Sequence, residues 1–153
     1  MTDAGRNIEL LFASESIRNT IALYGIGADN FNDPEILGPL FTDDAIWSCK
    51  GFGAFKGRRD IEKGLSEIAK TRVLWSFHVM ANPHIKVSSD KRSAQANWAL
   101  WELSSYREES SQSRDSIMAG FYRAQFQKID DSWLICKMEL EIIVNSPYPA
   151  GFK

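Results

Sequence analysis

The last long run of the chain, SWLICKMELEIIV, alternates in character: Leu134, Cys136, Met138, Leu140 and Ile142 share one parity, and Lys137, Glu139 and Glu141 the other. Side chains of a strand point alternately to its two faces, so the run predicts a strand with one apolar and one polar side. A sheet of such strands is antiparallel, with one face on a core and one toward water. Four more strand-like runs precede it: RVLWSFHVM, PHIKVSS, RSAQANWALWELSS and DSIMAGFYRAQFQKI. Asp130-Asp131 predicts a tight turn before the last strand. SSYREESSQSR, Ser104 to Arg114, predicts a long hairpin loop.

The chain before these strands reads mostly as helix. Ile17, Ile21, Tyr24 and Ala28 fall on one face of a 3.6-residue period. Gly25 and Gly27 each weaken that helix by about 1 kcal/mol relative to alanine, which predicts close packing or a bend near Asp29. Asp33-Pro34 is a helix start, an N-cap acid followed by a first-turn proline. It opens a short helix, PEILGPLF, broken by Pro39. From Asp44 the pattern turns to strand, AIWSC, then to a glycine-rich corner, KGFGAFKG. A third helix, RRDIEKGLSEIAK, aligns Ile61, Leu65 and Ile68. Helices first and a long antiparallel sheet after them give an α+β class. Helices closing one side of a curved sheet enclose an apolar cone, a natural small-molecule pocket.

The length, 153 residues, suits one domain spanning 1–153. A net charge of −2 argues against sequence-independent nucleic-acid binding. No run is long enough to span a membrane and none reads as a signal peptide, so no membrane partner and a cytoplasmic location are expected. Cys49 and Cys136 sit in apolar strand-like surroundings and read as reduced core residues. No metal is expected, since His78 and His84 have no carboxylate at ligand spacing. KGFGAFKG lacks the strand-to-helix context of a nucleotide loop, and no serine elbow is present. No cofactor is expected.

Two residues stand out chemically. Asp29 ends the amphipathic helix, where a carboxylate opposes the macrodipole. His78 interrupts the apolar run VLWSFHVM. A carboxylate and an imidazole meeting in a pocket form an oriented, charge-stabilised base.

With these residues in view, the chain resembles the SnoaL-like branch of the nuclear-transport-factor-2-like superfamily over roughly Ile8 to Pro149. The resemblance rests on the helix ending LYGIGAD, on FTDDAIWSCKGFGAFKGRRDI, on HVMANPHIKV and on QKIDDSWLICKM. The branch includes scytalone dehydratase, a bile-acid dehydratase, hexachlorocyclohexane dehydrochlorinase and relatives of ketosteroid isomerase. The resemblance implies a cone-shaped α+β barrel of cystatin-like fold, with N-terminal helices packed on a curved, mostly antiparallel sheet. It also implies a cofactor-independent lyase or isomerase, dehydratase-like, acting on a small hydrophobic, cyclic, oxygenated molecule. His78 matches the general base, Asp29 its partner and Tyr24 the group that hydrogen-bonds the substrate oxygen. Trp47 matches a pocket-lining tryptophan and Asn82 a polar residue after the catalytic strand. Met138 stands where some members carry a pocket arginine, and nothing puts His84 in the place of a second pocket histidine. The same fold also serves non-catalytic binding or assembly modules, the alternative for this chain.

Trp47, Phe55, Asn82, Trp98, Tyr122 and Met138 are thus the expected substrate-binding residues. Trp75 and Phe126 are expected as core. Glu102 shares the parity of Trp98 and could reach the pocket mouth, but is expected as a solvated strand-end acid. Trp101 has the opposite parity and, if exposed, marks an interface of a homo-oligomer, a trimer or dimer.

Overall fold

The computed structural model describes residues 3–108, 113–149 and 151–152. Three α-helices, α1 (Asp3–Asp29), α2 (Pro34–Leu37) and α3 (Arg58–Thr71), pack on one six-stranded sheet. Its strands are β1 (Phe41–Cys49), β2 (Gly53–Lys56), β3 (Val73–Val87), β4 (Ser93–Arg107), β5 (Ser113–Ile129) and β6 (Ser132–Pro147). They lie in the order β2-β1-β6-β5-β4-β3. Every described pairing is antiparallel except β1 with β6. The sheet stays open, with β2 and β3 as its edges, so the expected cone is a curved sheet closed by helices and not a continuous barrel.

The predicted face of α1 is the buried one: Ile17, Ile21, Tyr24 and Ala28 all enter the core. Both glycines mark close approaches. Gly27 faces Leu37 of α2, and Gly25 faces Met80 of β3. Asp33 caps α2 by accepting a hydrogen bond from the Glu35 N–H at 3.0 Å. Pro39 ends the α-helix by leading the chain into a 3-10 turn over Gly38–Leu40. In α3 it is Ile61, Leu65 and Ala69 that are buried, while Ile68 packs half-buried at the core margin.

Two strand expectations need correction. The runs RVLWSFHVM and PHIKVSS form one strand, β3, whose pairing with β4 is irregular between Ala81 and His84. Asn82 takes a left-handed φ of 53° there, a conformation asparagine tolerates better than most residues. Pro83 beside it is acceptable because β3 is an edge. In β6 the alternation switches phase: Trp133 and Ile135 are buried, then Met138 and Leu140. A bulge opposite Gln125 and Phe126 inserts the extra residue. Cys136 consequently sits half-buried, not in the core where it was expected, whereas Cys49 is buried. The Ser104–Arg114 segment is mostly strand, because β4 runs to Arg107 and β5 begins at Ser113. Part of the expected loop, residues 109–112, lies outside the described residues. No described helix is long and apolar enough to cross a membrane.

Candidate active site

The C-terminal end of α1 lies against β3 and brings Asp29 beneath His78. The Asp29 carboxylate accepts the His78 backbone N–H at 3.0 Å from both oxygens and the Ser76 hydroxyl at 3.2 Å. Its Oδ1 stands 2.6 Å from His78 Nδ1. An ionised carboxylate only accepts hydrogen bonds, so Nδ1 carries a proton and Nε2 is the nitrogen left for chemistry. That nitrogen faces Glu102 Oε2 at 3.3 Å. Glu102 lies directly opposite His78 in the β3–β4 pair, and the Tyr106 hydroxyl donates to its Oε1 at 3.3 Å.

Glu102 is therefore not the solvated strand-end acid expected; it is 5% exposed and faces the imidazole. Its parity with Trp98 was legible. The register of β3 against β4, which alone puts it opposite His78, was not. Burial pushes the His78 pKa down. The hydrogen bond to Asp29 and the negative charges of Glu102 and Asp29 outweigh that, and the net shift is upward. The ring thus holds its proton more tightly than a free histidine.

Tyr24 lines the same cavity. Its hydroxyl accepts the Trp47 indole N–H at 2.9 Å and a further hydrogen bond from Tyr122. Indole nitrogen is a donor only, so the Tyr24 oxygen is fixed as acceptor and its own O–H stays available to a ligand. Burial pushes its pKa up to about 12 against those two hydrogen bonds, so it works as a proton-bearing donor. Burial likewise raises the Cys49 thiol to about 11, which leaves it an inert part of the wall.

The cavity between these groups has a volume of about 70 Å³, room for several waters or part of a small ring. Tyr24, Asp29, Trp47, His78 and Tyr122 line it, all of them expected at the site. Four expected residues do not. Trp98 is 1% exposed beneath the stacked ring of Tyr122, at 5.1 Å between centroids. Met138 is fully buried in the core on β6, two residues before the cavity-lining Leu140. Phe55 stacks on Trp47 at 5.5 Å and fills the space that Gly64 leaves on α3. Asn82 is exposed at the β3 irregularity, and His84 is exposed beyond it. Sequence reasoning did not place Glu102, Ser76, Phe52, Trp75 or Tyr106 on the wall. Trp75 was taken as core; it is half-buried and edges onto Phe152 at 5.6 Å. Among the described residues no group of three or more His, Cys, Asp or Glu has an arrangement suited to a metal ion.

Known structures share this architecture. A hexachlorocyclohexane dehydrochlorinase from Novosphingobium barchaimii superposes with a TM-score of 0.83 at 18% identity, over 93% of this chain and 94% of that one. A candidate scytalone dehydratase from Novosphingobium aromaticivorans gives 0.79 at 24% identity, over 93% and 91%. A cystatin-like-fold protein of unknown function from Nostoc punctiforme gives 0.69 at 18%, over 84% and 90%. At these identities the likeness shows the fold alone. Among curated proteins none matches the chain. The profile of the SnoaL-like domain matches residues 10–139, most of the chain, from the second turns of α1 to the middle of β6. On that match, the chain belongs to the SnoaL-like domain family.

Proposed function

We propose that the protein is a cofactor-independent lyase or isomerase that removes a proton beside a carbonyl or similarly activated carbon of a small, hydrophobic, cyclic, oxygenated molecule. The observation that carries this reading is an imidazole held between two carboxylates at the wall of an apolar cavity that Tyr24 also lines. In this reading His78 Nε2 takes the proton. Asp29 stays ionised, fixes the tautomer and stabilises the imidazolium. Tyr24 donates to the substrate oxygen where negative charge builds. Nε2–H then delivers the proton itself, while the Glu102 carboxylate opposite it stabilises the imidazolium. Delivered to a hydroxyl β to the carbanion, that proton leaves with it as water. Delivered to another carbon, it completes an isomerisation. General acid–base assistance of this kind is worth roughly 10²–10⁴-fold.

The Tyr24, Asp29 and His78 set in the cavity wall supports this reading over a non-catalytic small-molecule-binding or assembly module, which has no need of it. The exposed outer face of the sheet supports a second proposal, that copies of the chain associate. Phe77, Val79, Trp101, Phe121, Ile143 and Val144 are all exposed there, and Val79 pairs directly with Trp101.

The test uses cyclic β-hydroxyketones such as hydroxycyclohexanone, with enone absorbance reporting elimination and solvent-deuterium uptake at the α-carbon reporting proton abstraction. His78→Ala should abolish both while ligand affinity stays within a few-fold. Unchanged deuterium uptake in that variant refutes the proposal.

A further inference from the structure

A second space adjoins the cavity. Its volume is about 330 Å³, and among the described residues its lining includes Lys50, Arg72, Arg107 and Arg114 against one acid, Glu108. This concentration of positive charge stands out on a chain whose net charge is −2. Phe52 and Tyr106 line both spaces, their rings 6.3 Å apart, so the two spaces share one aromatic partition.

The cations are held in place from different elements. Arg72, just after α3, donates to the Gly51 carbonyl at 2.9 Å and lies 4.6 Å over the Phe52 ring. Its backbone carbonyl accepts the Arg107 N–H at 2.9 Å, which ties α3 to the end of β4. Arg114, on β5, rests 6.0 Å from the Tyr106 ring centroid. Its Nε has no hydrogen-bond partner among the described residues, although the side chain is 41% exposed and forms a loose ion pair with Glu108 Oε1 at 3.7 Å. That N–H is shielded from water without a close acceptor, and an incoming oxyanion at hydrogen-bond distance would satisfy it. The positive field reaches the first cavity: Arg72 acts electrostatically on both Cys49 and Tyr106.

We propose that this basic groove binds an oxyanion carried by the substrate, a carboxylate or a phosphate ester. The substrate class is then amphipathic: an apolar ring enters the cavity beside His78, and the charged end crosses the Phe52–Tyr106 partition to Arg72 and Arg114. The inference deepens the proposed function and rests on it for the identity of the ring site. Binding energy from the charged end would orient the ring over Nε2 without taking part in the chemistry.

The test compares two fluorescent probes of similar shape, anilinonaphthalene sulfonate, which is anionic, and N-phenylnaphthylamine, which is neutral. Arg114→Gln should weaken the anionic probe by about ten-fold, the scale of one lost charge-assisted hydrogen bond, and leave the neutral one unchanged. Arg114→Lys should restore affinity for the anionic probe to within about two-fold, since the charge is kept. Arg107→Gln should act in the same direction as Arg114→Gln. Equal loss of both probes, or no loss of the anionic one, overturns the proposal. Displacement of the bound sulfonate by cyclohexanecarboxylate and by cyclohexyl phosphate identifies the preferred oxyanion. Displacement by cyclohexanol as effective as by either anion also overturns it. His78→Gln should keep the difference between the probes while losing turnover, which separates failure of the groove from failure of the chemistry.

Discussion

Replacing Gly27 by alanine tests how the end of α1 is held. In an exposed helix the change would stabilise by about 1 kcal/mol. Here the added Cβ would lie 2.6 Å from Leu37 Cδ2, 2.9 Å from Leu37 Cγ and 3.0 Å from Ile36 Cγ2. Ordinary carbon contacts are about 3.5–4.0 Å, so α2 and the end of α1 must separate by about 1 Å. Leu37 is 1% exposed and has nowhere to withdraw. Overpacking of this kind costs about 1–3 kcal/mol, which cancels the propensity gain and leaves a net loss of about 1 kcal/mol. Gly25 is the internal control. Its Cβ would meet the flexible Met80 side chain at 3.2 Å, so Gly25→Ala should stabilise by up to about 1 kcal/mol. Urea denaturation with a constant m-value should separate the two variants by about 2 kcal/mol. Asp29 follows Gly27 by two residues, so Gly27→Ala should also lower the His78 pKa, read by NMR, as the carboxylate retreats. Equal stabilisation by both substitutions would refute the packing argument.

Four further outcomes follow from the site and the sheet. Asp29→Asn should lower the His78 pKa, because an amide cannot replace the charged acceptor at Nδ1; an unmoved titration would show that the pair is uncoupled. The sign for stability runs the same way. A histidine whose pKa is raised by folding stabilises fully below its unfolded value of about 6.5 and loses that contribution as pH climbs through the folded value. Chemical denaturation from acid to alkaline pH should therefore show stability falling across that window in the wild type and a flatter profile in Asp29→Asn. Tyr24→Phe leaves the Trp47 N–H without its acceptor and should cost about 1–3 kcal/mol in denaturation while turnover also falls. Trp101→Glu should shift sedimentation toward a smaller species without altering the His78 titration, since Trp101 is half-exposed on the face away from the cavity.

What could be read from the sequence followed local periodicity. The α1 face, the cap at Asp33, the last helix and the strand character of β3 to β6 are all short-range patterns, although β3 was read as two runs. The meeting of Asp29 with His78 was also legible, because two polar side chains in apolar elements seek each other or a ligand. Glu102 was missed because its role depends on register, a long-range property that parity alone does not give. Trp98 and Met138 were misplaced for a related reason. Their parity correctly pointed them inward, but the cavity occupies only the end of the sheet near α1, and inward elsewhere means solid core. The phase change in β6 was invisible for the opposite reason: the apolar residues Leu134 to Ile142 make a clean alternation on paper, and only the bulge opposite Gln125 and Phe126 reveals that the strand does not follow it.

The parallel pairing of β1 with β6 has a consequence for how the molecule comes to exist. It sets Trp47 beside Met138, roughly 90 positions later in the chain. Contacts so distant in sequence close slowly, and during synthesis they form only once the late strand has emerged. Trp47 and Tyr24 are both made early, but β1 gains its neighbour β6 only late in synthesis. The cavity, whose wall includes Leu140 of β6, is closed only after that last strand has emerged.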